Sequence, residues 1–361
     1  MTESPSLGTF EREVLDAVQK AIPLVDRPFA DLAARLGSTE AAVIDSVARL
    51  KNEARIIRQI SAIFDTRALG YQSTLVAARY DEDAVDQAAE VINTHPGVSH
   101  NYRRRHAYNL WYTLAVPPDS RLGLDGTLAR LHEISGAAAT RRMQTLRLFK
   151  IGVRLDVKGD RAPDTRDEPP AYDEGDQREA CSHPLTAEDI EAIRLLQRDL
   201  PLVPAPFEAT AAEAGRDAAW LLAAATRLLH RKQMRRLAAV LRHREAGFGH
   251  NCMVVWDAAD DRAEEAGRIM AGFDAVSHCY RRPRFEDWPY NLFTMIHGRT
   301  REECLAVADA IAKASGVSRR AELWTVKEYK KARVRYFTPD AAAWEERYGG
   351  QAPAPETSGS G

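Results

Sequence analysis

A chain that carries the same signatures twice must build the same module twice, and this one does so at a nearly constant offset. IPLVDRPF from Ile22 is answered by LPLVPAPF from Leu200, and VSHNYRR from Val98 by VSHCYRR from Val276, each 178 residues later. YNLWYTL from Tyr108 is answered by YNLFTMI from Tyr290 at 182, so the second copy holds four additional residues between its last two motifs. Insertions of that size are absorbed by loops. With 361 residues in all, each copy is long enough to bury more than one core.

Each copy divides again by its apolar period. In the first, Val14, Leu15 and Val18 recur at helical spacing, and FADLAARLG makes a helix closed by Gly37. The helix of STEAAVIDSVARLKNEARI opens on Ser38 or Thr39 and carries Ala42, Val43, Val47 and Leu50. That is helix-turn-helix spacing, and the alternating IRQISAIF reads as its wing. From Tyr71 the period changes: YQSTLVAARY reads as a strand, DEDAVDQAAEVINTHPG as a helix, VSHNYRRR and YNLWYTLAV as a hairpin, LGLDGTLARLHEISG as a helix and TRRMQTLRLFKIGV as one final strand.

The expected fold class is therefore α+β, a tandem repeat of a winged helix-turn-helix plus a ferredoxin-like βαββαβ module, the two sheets packing as an intramolecular pseudo-dimer. The expected boundaries are 8–62 and 63–155 for the first copy, 185–243 and 244–340 for the second. A disordered acidic linker at 156–184 and a disordered tail at 341–361 complete the division, both polar and without an apolar period. The second helix-turn-helix, EATAAEAGRDAAWLLAAATRLLHRKQMRRL, puts alanine and tryptophan where a reading surface would be polar, which suits packing better than DNA.

Charge and cysteine content narrow the function. Fifty basic against fifty-two acidic residues leave a net charge of -2, so no global positive field draws in nucleic acid or an anionic membrane. Cys181, Cys252, Cys279 and Cys304 form no CxxC pair, against a thiolate zinc site or a disulfide framework. The N-terminus lacks a basic-then-apolar signal and no apolar run is long enough to span a bilayer, so the expected location is cytoplasmic. The first helix-turn-helix exposes Thr39, Glu40, Asp45 and Arg49, too few cations for tight phosphate contact, and nucleic acid is disfavoured as a partner.

The helix-turn-helix followed by βαββαβ resembles the Lrp/AsnC regulators over almost the whole of each half. The hairpins GVSHNYRRRHAYNLWYTL and AVSHCYRRPRFEDWPYNLFTMIHG are similar to the paired signatures of siroheme decarboxylase, whose two related subunits share that architecture. The chain resembles the fused form. The resemblance implies conversion of siroheme to 12,18-didecarboxysiroheme with release of two CO2, in heme d1 or siroheme-dependent heme biosynthesis. It implies siroheme as the partner and no cofactor beyond the iron the substrate carries, and it leaves a homodimer open. The alternative it offers is an Lrp/AsnC-type transcription regulator sensing a metabolite or a tetrapyrrole.

Under that resemblance the hairpin residues acquire roles. A macrocycle ringed by carboxylates needs cationic forks and flat surfaces. Arg103, Arg104, Arg105, Arg281, Arg282 and Arg284 supply the forks; Trp111, Trp288 and Tyr290 the surfaces; His106 and Asn291 further contacts. Replacing a lost carboxylate needs a proton, for which His100 with Tyr102 and His278 with Tyr280 are placed two apart, hence on one face of each strand. His250 or His278 could touch the substrate iron, His297 being a weaker candidate. Lys150 and Lys330, equivalent positions after the last strand, could add rim charge but read rather as solvated surface.

Overall fold

The computed structural model describes residues 7–151, 164–166, 179–241 and 250–350. Most of the expected linker and the end of the tail lie outside these residues. The chain forms two compact units, one of residues 1–69 with 145–324, the other of residues 70–144 with 325–361.

The first unit holds both helix-turn-helix modules and the second α+β module. Helices α1 (Thr9–Lys20), α2 (Pro28–Arg35) and α3 (Glu40–Asn52) make the first helix-turn-helix, with Val14, Val18, Phe29, Leu32, Val43, Val47 and Leu50 buried between them. Of the two cap candidates Thr39 does the work, its hydroxyl accepting the Ala42 N–H at 3.2 Å. The wing β1 (Ile57–Phe64) does not fold back on itself. It pairs antiparallel with the corresponding strand of the second copy, β7 (Met234–Leu241), which follows α6 (Ala187–Leu196), α7 (Pro206–Ala212) and α8 (Ala218–His230). The repeated IPLV and LPLV segments close this seam reciprocally: Ile22 N–H donates to Leu237 O at 2.7 Å and Leu200 N–H to Ile60 O at 2.8 Å.

The same unit continues with β8 (His250–Trp256), α9 (Ala263–Ala271), β9 (Val276–Arg281), β10 (Leu292–Gly298), α10 (Arg301–Ser315) and the start of β11 (Arg320–Lys331). Strand β8 pairs with β10 and with residues 320–324 of β11, and β10 with β9, the ferredoxin-like order. Cys252, Val254, Trp256, Val276, Cys279, Leu292 and Ile296 line the sheet face on which Met270, Cys304, Val307 and Ile311 of the helices pack. At roughly 1.5–3 kcal/mol for each large apolar side chain buried, this one-sided core is the main stabilising term of the module.

The second unit repeats the arrangement with β2 (Gln72–Arg79), α4 (Val85–Asn93), β3 (Val98–Arg104), β4 (Leu110–Val116), α5 (Gly123–Ser135) and β5 (Ala139–Met143). Here the expected single last strand is corrected. TRRMQTLRLFKIGV breaks after Met143, and its second part, β6 (Arg147–Ile151), pairs with β9 of the second copy. The second copy reciprocates, since residues 325–331 of β11 pair with β3. Each copy's last strand thus carries on as an additional edge strand of the other copy's sheet. The exchange explains two motif residues. Lys150, far from being surface, is buried and donates to Phe273 O at 2.7 Å, and Lys330 donates to Asn93 O at 3.1 Å, each ammonium closing carbonyls at the end of a helix.

The expected tail also needs correction. Residues Asp340–Tyr348 form a helix, α11, whose Trp344 is 4 % exposed and donates its indole N–H to Thr94 Oγ1 at 3.0 Å. A tryptophan and a buried glutamate, Glu345, which accepts the Arg121 N–H at 3.0 Å, order a segment whose composition alone looked too polar to fold. Among the described residues no helix is long and apolar enough to cross a membrane.

Candidate active site

A β-bulge decides which face of each hairpin the candidate residues occupy. In β3, Val98 pairs with Leu114 but His100 pairs with Thr113, leaving Ser99 additional; in β9, Val276 pairs with Ile296 and His278 with Met295, leaving Ser277 additional. The insertion flips the alternation. Val98 and Val276 point into the helical cores, whereas His100, Tyr102 and Arg104, like His278, Tyr280 and Arg282, stand on the opposite, helix-free face. Without the bulge these side chains would occupy the core side.

Two ladders result. The rings of His100 and Tyr102 are 6.1 Å apart, as are those of His278 and Tyr280. The guanidinium of Arg104 lies 5.5 Å from the Tyr102 ring and that of Arg282 4.5 Å from the Tyr280 ring. Both arginines are buried and each reaches a threonine, Arg104 meeting Thr325 Oγ1 of β11 at 3.4 Å and Arg282 meeting Thr145 Oγ1, just before β6, at 3.2 Å. Burial lowers Arg282 to about 10, which still leaves it charged at neutral pH. Burial pushes the Tyr280 phenol above its usual range, against the pull of Arg282, Arg235 and Arg67, so it remains a hydrogen-bond donor. Arg67 and Arg235 come from the ends of the paired wings, Arg235 bridging to Asp65 at 2.7 Å. They carry cationic charge toward Tyr280, and the sequence offered no motif to mark them.

The bulged serines complete the ladders differently. Ser99 Oγ lies 3.0 Å from His100 Nδ1 and 2.7 Å from Thr113 Oγ1, which accepts the His100 N–H at 3.1 Å. Ser277 Oγ lies 2.7 Å from His278 Nδ1 and 2.7 Å from His297 Nε2. The serine recurs in both VSH motifs, the one signal that could have found it. With Nδ1 committed, the ring of His278 meets any ligand through Nε2.

Other expected residues lie elsewhere. Arg103 and Arg281 alternate onto the helix side, Arg103 bridging to Glu82 and, at 3.8 Å, to Asp86, and Arg281 bridging to Asp260 at 3.4 Å. They tie the strands to the starts of α4 and α9 on the helix side. Arg284 is engaged by Asp257 and Ala258 O of the segment after β8 and by Pro289 O of its own loop. Asn291 is buried and brackets Ala258, accepting its N–H at 3.1 Å and donating to its carbonyl at 2.9 Å, a structural clamp that Asn109 repeats on Tyr80. Trp288 is fully buried against Tyr290 and Phe293, and Trp111 is 1 % exposed with its N–H on Tyr108 O, so the indoles are packing beneath the hairpins rather than open surfaces. Tyr290 is half-buried.

His250 shares the parity of Cys252 and Val254, hence the helix side, and its charge is felt by Glu302 of α10; it does not join His278. Arg105 is exposed at the first hairpin tip, and His106 folds inward there, its Nδ1 accepting the Tyr108 N–H at 3.0 Å and its pKa lowered by burial. Among the described residues no group of three or more His, Cys, Asp or Glu is gathered to hold a metal ion. All four cysteines are free.

Residues 11–58 and 189–235 match the siroheme decarboxylase NirDL-like HTH domain, and residues 68–150 and 245–330 match the AsnC-like ligand binding domain. A siroheme decarboxylase of Hydrogenobacter thermophilus is 37% identical over 94% of this chain and 98% of its own length. The crystal structure of the siroheme decarboxylase NirDL is 34% identical with a TM-score of 0.75, covering 94% of this chain and 98% of that one. Its co-complex with an iron-uroporphyrin III analogue is 33% identical with a TM-score of 0.74 over the same shares. These matches, over nearly the whole chain, place it in the siroheme decarboxylase family.

Proposed function

We propose that this protein is a carboxy-lyase that removes two acetate carboxylates from siroheme as CO2, yielding 12,18-didecarboxysiroheme for heme d1 or siroheme-dependent heme biosynthesis. The observation that carries the reading is the pair of ladders, in which a buried arginine stands behind a tyrosine and a histidine on a helix-free sheet face. A buried guanidinium pairs a carboxylate bidentately at lower desolvation cost than an ammonium, so Arg104 and Arg282 are suited to anchor the macrocycle rim. A relative solved with an iron-uroporphyrin III analogue supports a ligand of that shape.

The reaction breaks one carbon–carbon bond at each acetate. The electron pair left behind is taken up by the macrocycle, and one proton then converts the methylene carbon to a methyl group as CO2 departs. The chain therefore has to hold the carboxylate near a proton donor and exclude competing donors. His100 and His278 are placed for that donation, Tyr102 and Tyr280 for orienting the carboxylate by hydrogen bonding. The macrocycle serves as its own electron sink, so no separate organic cofactor is required.

A regulator is the weaker reading, because the cations of the would-be reading helices are engaged. On α3, Arg49 bridges to Glu11 at 3.3 Å and Lys51 to Asp199 at 2.7 Å; on α8, Arg227 bridges to the fully buried Asp189 at 2.7 Å. Anaerobic incubation of pure protein with siroheme, followed by product mass, tests the proposal. Successive loss of two CO2 is expected; an unchanged substrate together with salt-resistant retardation of promoter DNA would reverse it.

A further inference from the structure

The two ladders differ in one respect that bears on proton supply. Ser277 Oγ stands between two imidazoles, 2.7 Å from His278 Nδ1 and 2.7 Å from His297 Nε2. Its remaining contact, to Met295 O at 3.4 Å, is at the limit of hydrogen bonding. A serine hydroxyl has one proton to give and two lone pairs, so with a short contact to each ring it can donate to one while accepting from the other. Such a chain reads equally well in either direction. In the first copy the position of His297 is taken by Ala115, and the Ser99 hydroxyl leads only to Thr113, which has no proton to spare at neutral pH.

We infer that Ser277 and His297 are positioning residues that turn His278 into the end of a two-histidine proton relay, a device the His100 ladder lacks. The inference rests on the decarboxylase reading and deepens it. Protons balance along the chain. As CO2 leaves, His278 gives its Nε2 proton to the substrate carbon, the Ser277 hydroxyl gives its proton to His278 Nδ1, and protonated His297 gives its Nε2 proton to Ser277. The relay ends with both rings neutral and His278 carrying its proton on Nδ1; one proton from solvent taken up at His278 Nε2, with Nδ1 returning its proton through Ser277 to His297, resets it. The bulge makes this possible, because it alone turns Ser277 onto the face of His278 and His297. His100, whose Ser99–Thr113 chain stores no proton, has to start as the charged imidazolium in order to give its Nε2 proton and end neutral.

The test uses the full-length protein with siroheme under anaerobic conditions. Ser277→Ala and His297→Gln should each slow turnover about tenfold at saturating substrate with KM held within about twofold, the lower end expected for losing assisted proton transfer. The monodecarboxylated intermediate should accumulate in both. The double variant should be no slower than the slower single one, because the residues act as one unit, and Ser277→Thr, which keeps the hydroxyl, should restore the rate. In mixed light and heavy water, wild type should show more than one proton in flight and His297→Gln only one. Multiplying effects, or wild-type turnover by His297→Gln with an unchanged isotope dependence, overturns the relay. Nitrogen-15 spectra of the ligand-free protein test it independently of turnover: His297→Gln must move the His278 Nδ1 resonance, and an unmoved resonance refutes the link. Absence of CO2 from wild type would instead overturn the decarboxylase reading, leaving the spectroscopic result to stand for the hydrogen-bonded chain.

Discussion

The guanidinium carbon of Arg282 sits 4.5 Å from the centroid of the Tyr280 ring, while its neighbour Arg281 turns to the other face of the sheet and bridges to Asp260. Adjacent arginines of one motif therefore have different work to do. Replacing each by lysine separates them. Arg282→Lys loses the planar fork and places in a buried site an ammonium that gives up its charge more readily, so siroheme affinity should fall roughly tenfold. Arg281→Lys keeps an exposed ion pair and should change affinity by no more than about twofold. Absorbance titration with siroheme under anaerobic conditions measures both, and equal losses would mean that the two act only as general positive charge.

Gly267 offers a sharper test of the strand exchange. A Cβ at this helical position would lie 2.4 Å from the Phe149 ring, so α9 leaves room there for β6 to dock. Helix propensity alone predicts that Gly267→Ala stabilises by about 1 kcal/mol. The clash reverses the sign, and a loss of about 1–3 kcal/mol is expected from urea denaturation. A gain would show that β6 does not hold this position.

His95 should make stability depend on pH. Burial, aided by the charge of Lys330 and opposed by Glu345, lowers it from 6.5 to about 4. Its Nδ1 accepts the Gly97 N–H at 3.0 Å, so the neutral ring is the folded form. The unfolded chain takes up the proton first as pH falls. The stabilisation is therefore complete above about 6.5 and is lost progressively toward about 4, roughly 3 kcal/mol in all. Urea midpoints at pH 7 and pH 5 should separate in wild type and converge in His95→Gln, apart from any uniform offset.

Trp344 tests the C-terminal helix. It is 4 % exposed, lies 4.6 Å from the His95 ring and packs on the apolar cluster of the second unit. Trp344→Ala should cost about 3–5 kcal/mol on denaturation. Unchanged stability would return this segment to the tail that its composition suggested.

Much of the architecture was legible because it rests on repetition and period. The 178-residue offset marked the two copies, and alternation or helical spacing marked nearly every element, since burying one face of a strand or helix imposes its period on the residues. The strand that became β5 and β6 was not legible as two, because both parts have strand composition and nothing local says which sheet each joins. The tail failed for a related reason: one tryptophan and one glutamate order α11 through partners more than 200 residues away, Thr94 and Ser120 among them.

For the candidate site, the sequence by itself determined which residue types were present and that each His-Tyr pair, two apart on a strand, shares a face. Only the tertiary structure decided which face. One unpaired residue in each hairpin, Ser99 or Ser277, shifts the alternation so that the valine before it enters the core and the histidine after it leaves it. A bulge is a property of two strands in register, invisible in either strand read alone. The same register sorted the arginines, giving Arg104 and Arg282 to the ladders and Arg103 and Arg281 to the helix loops.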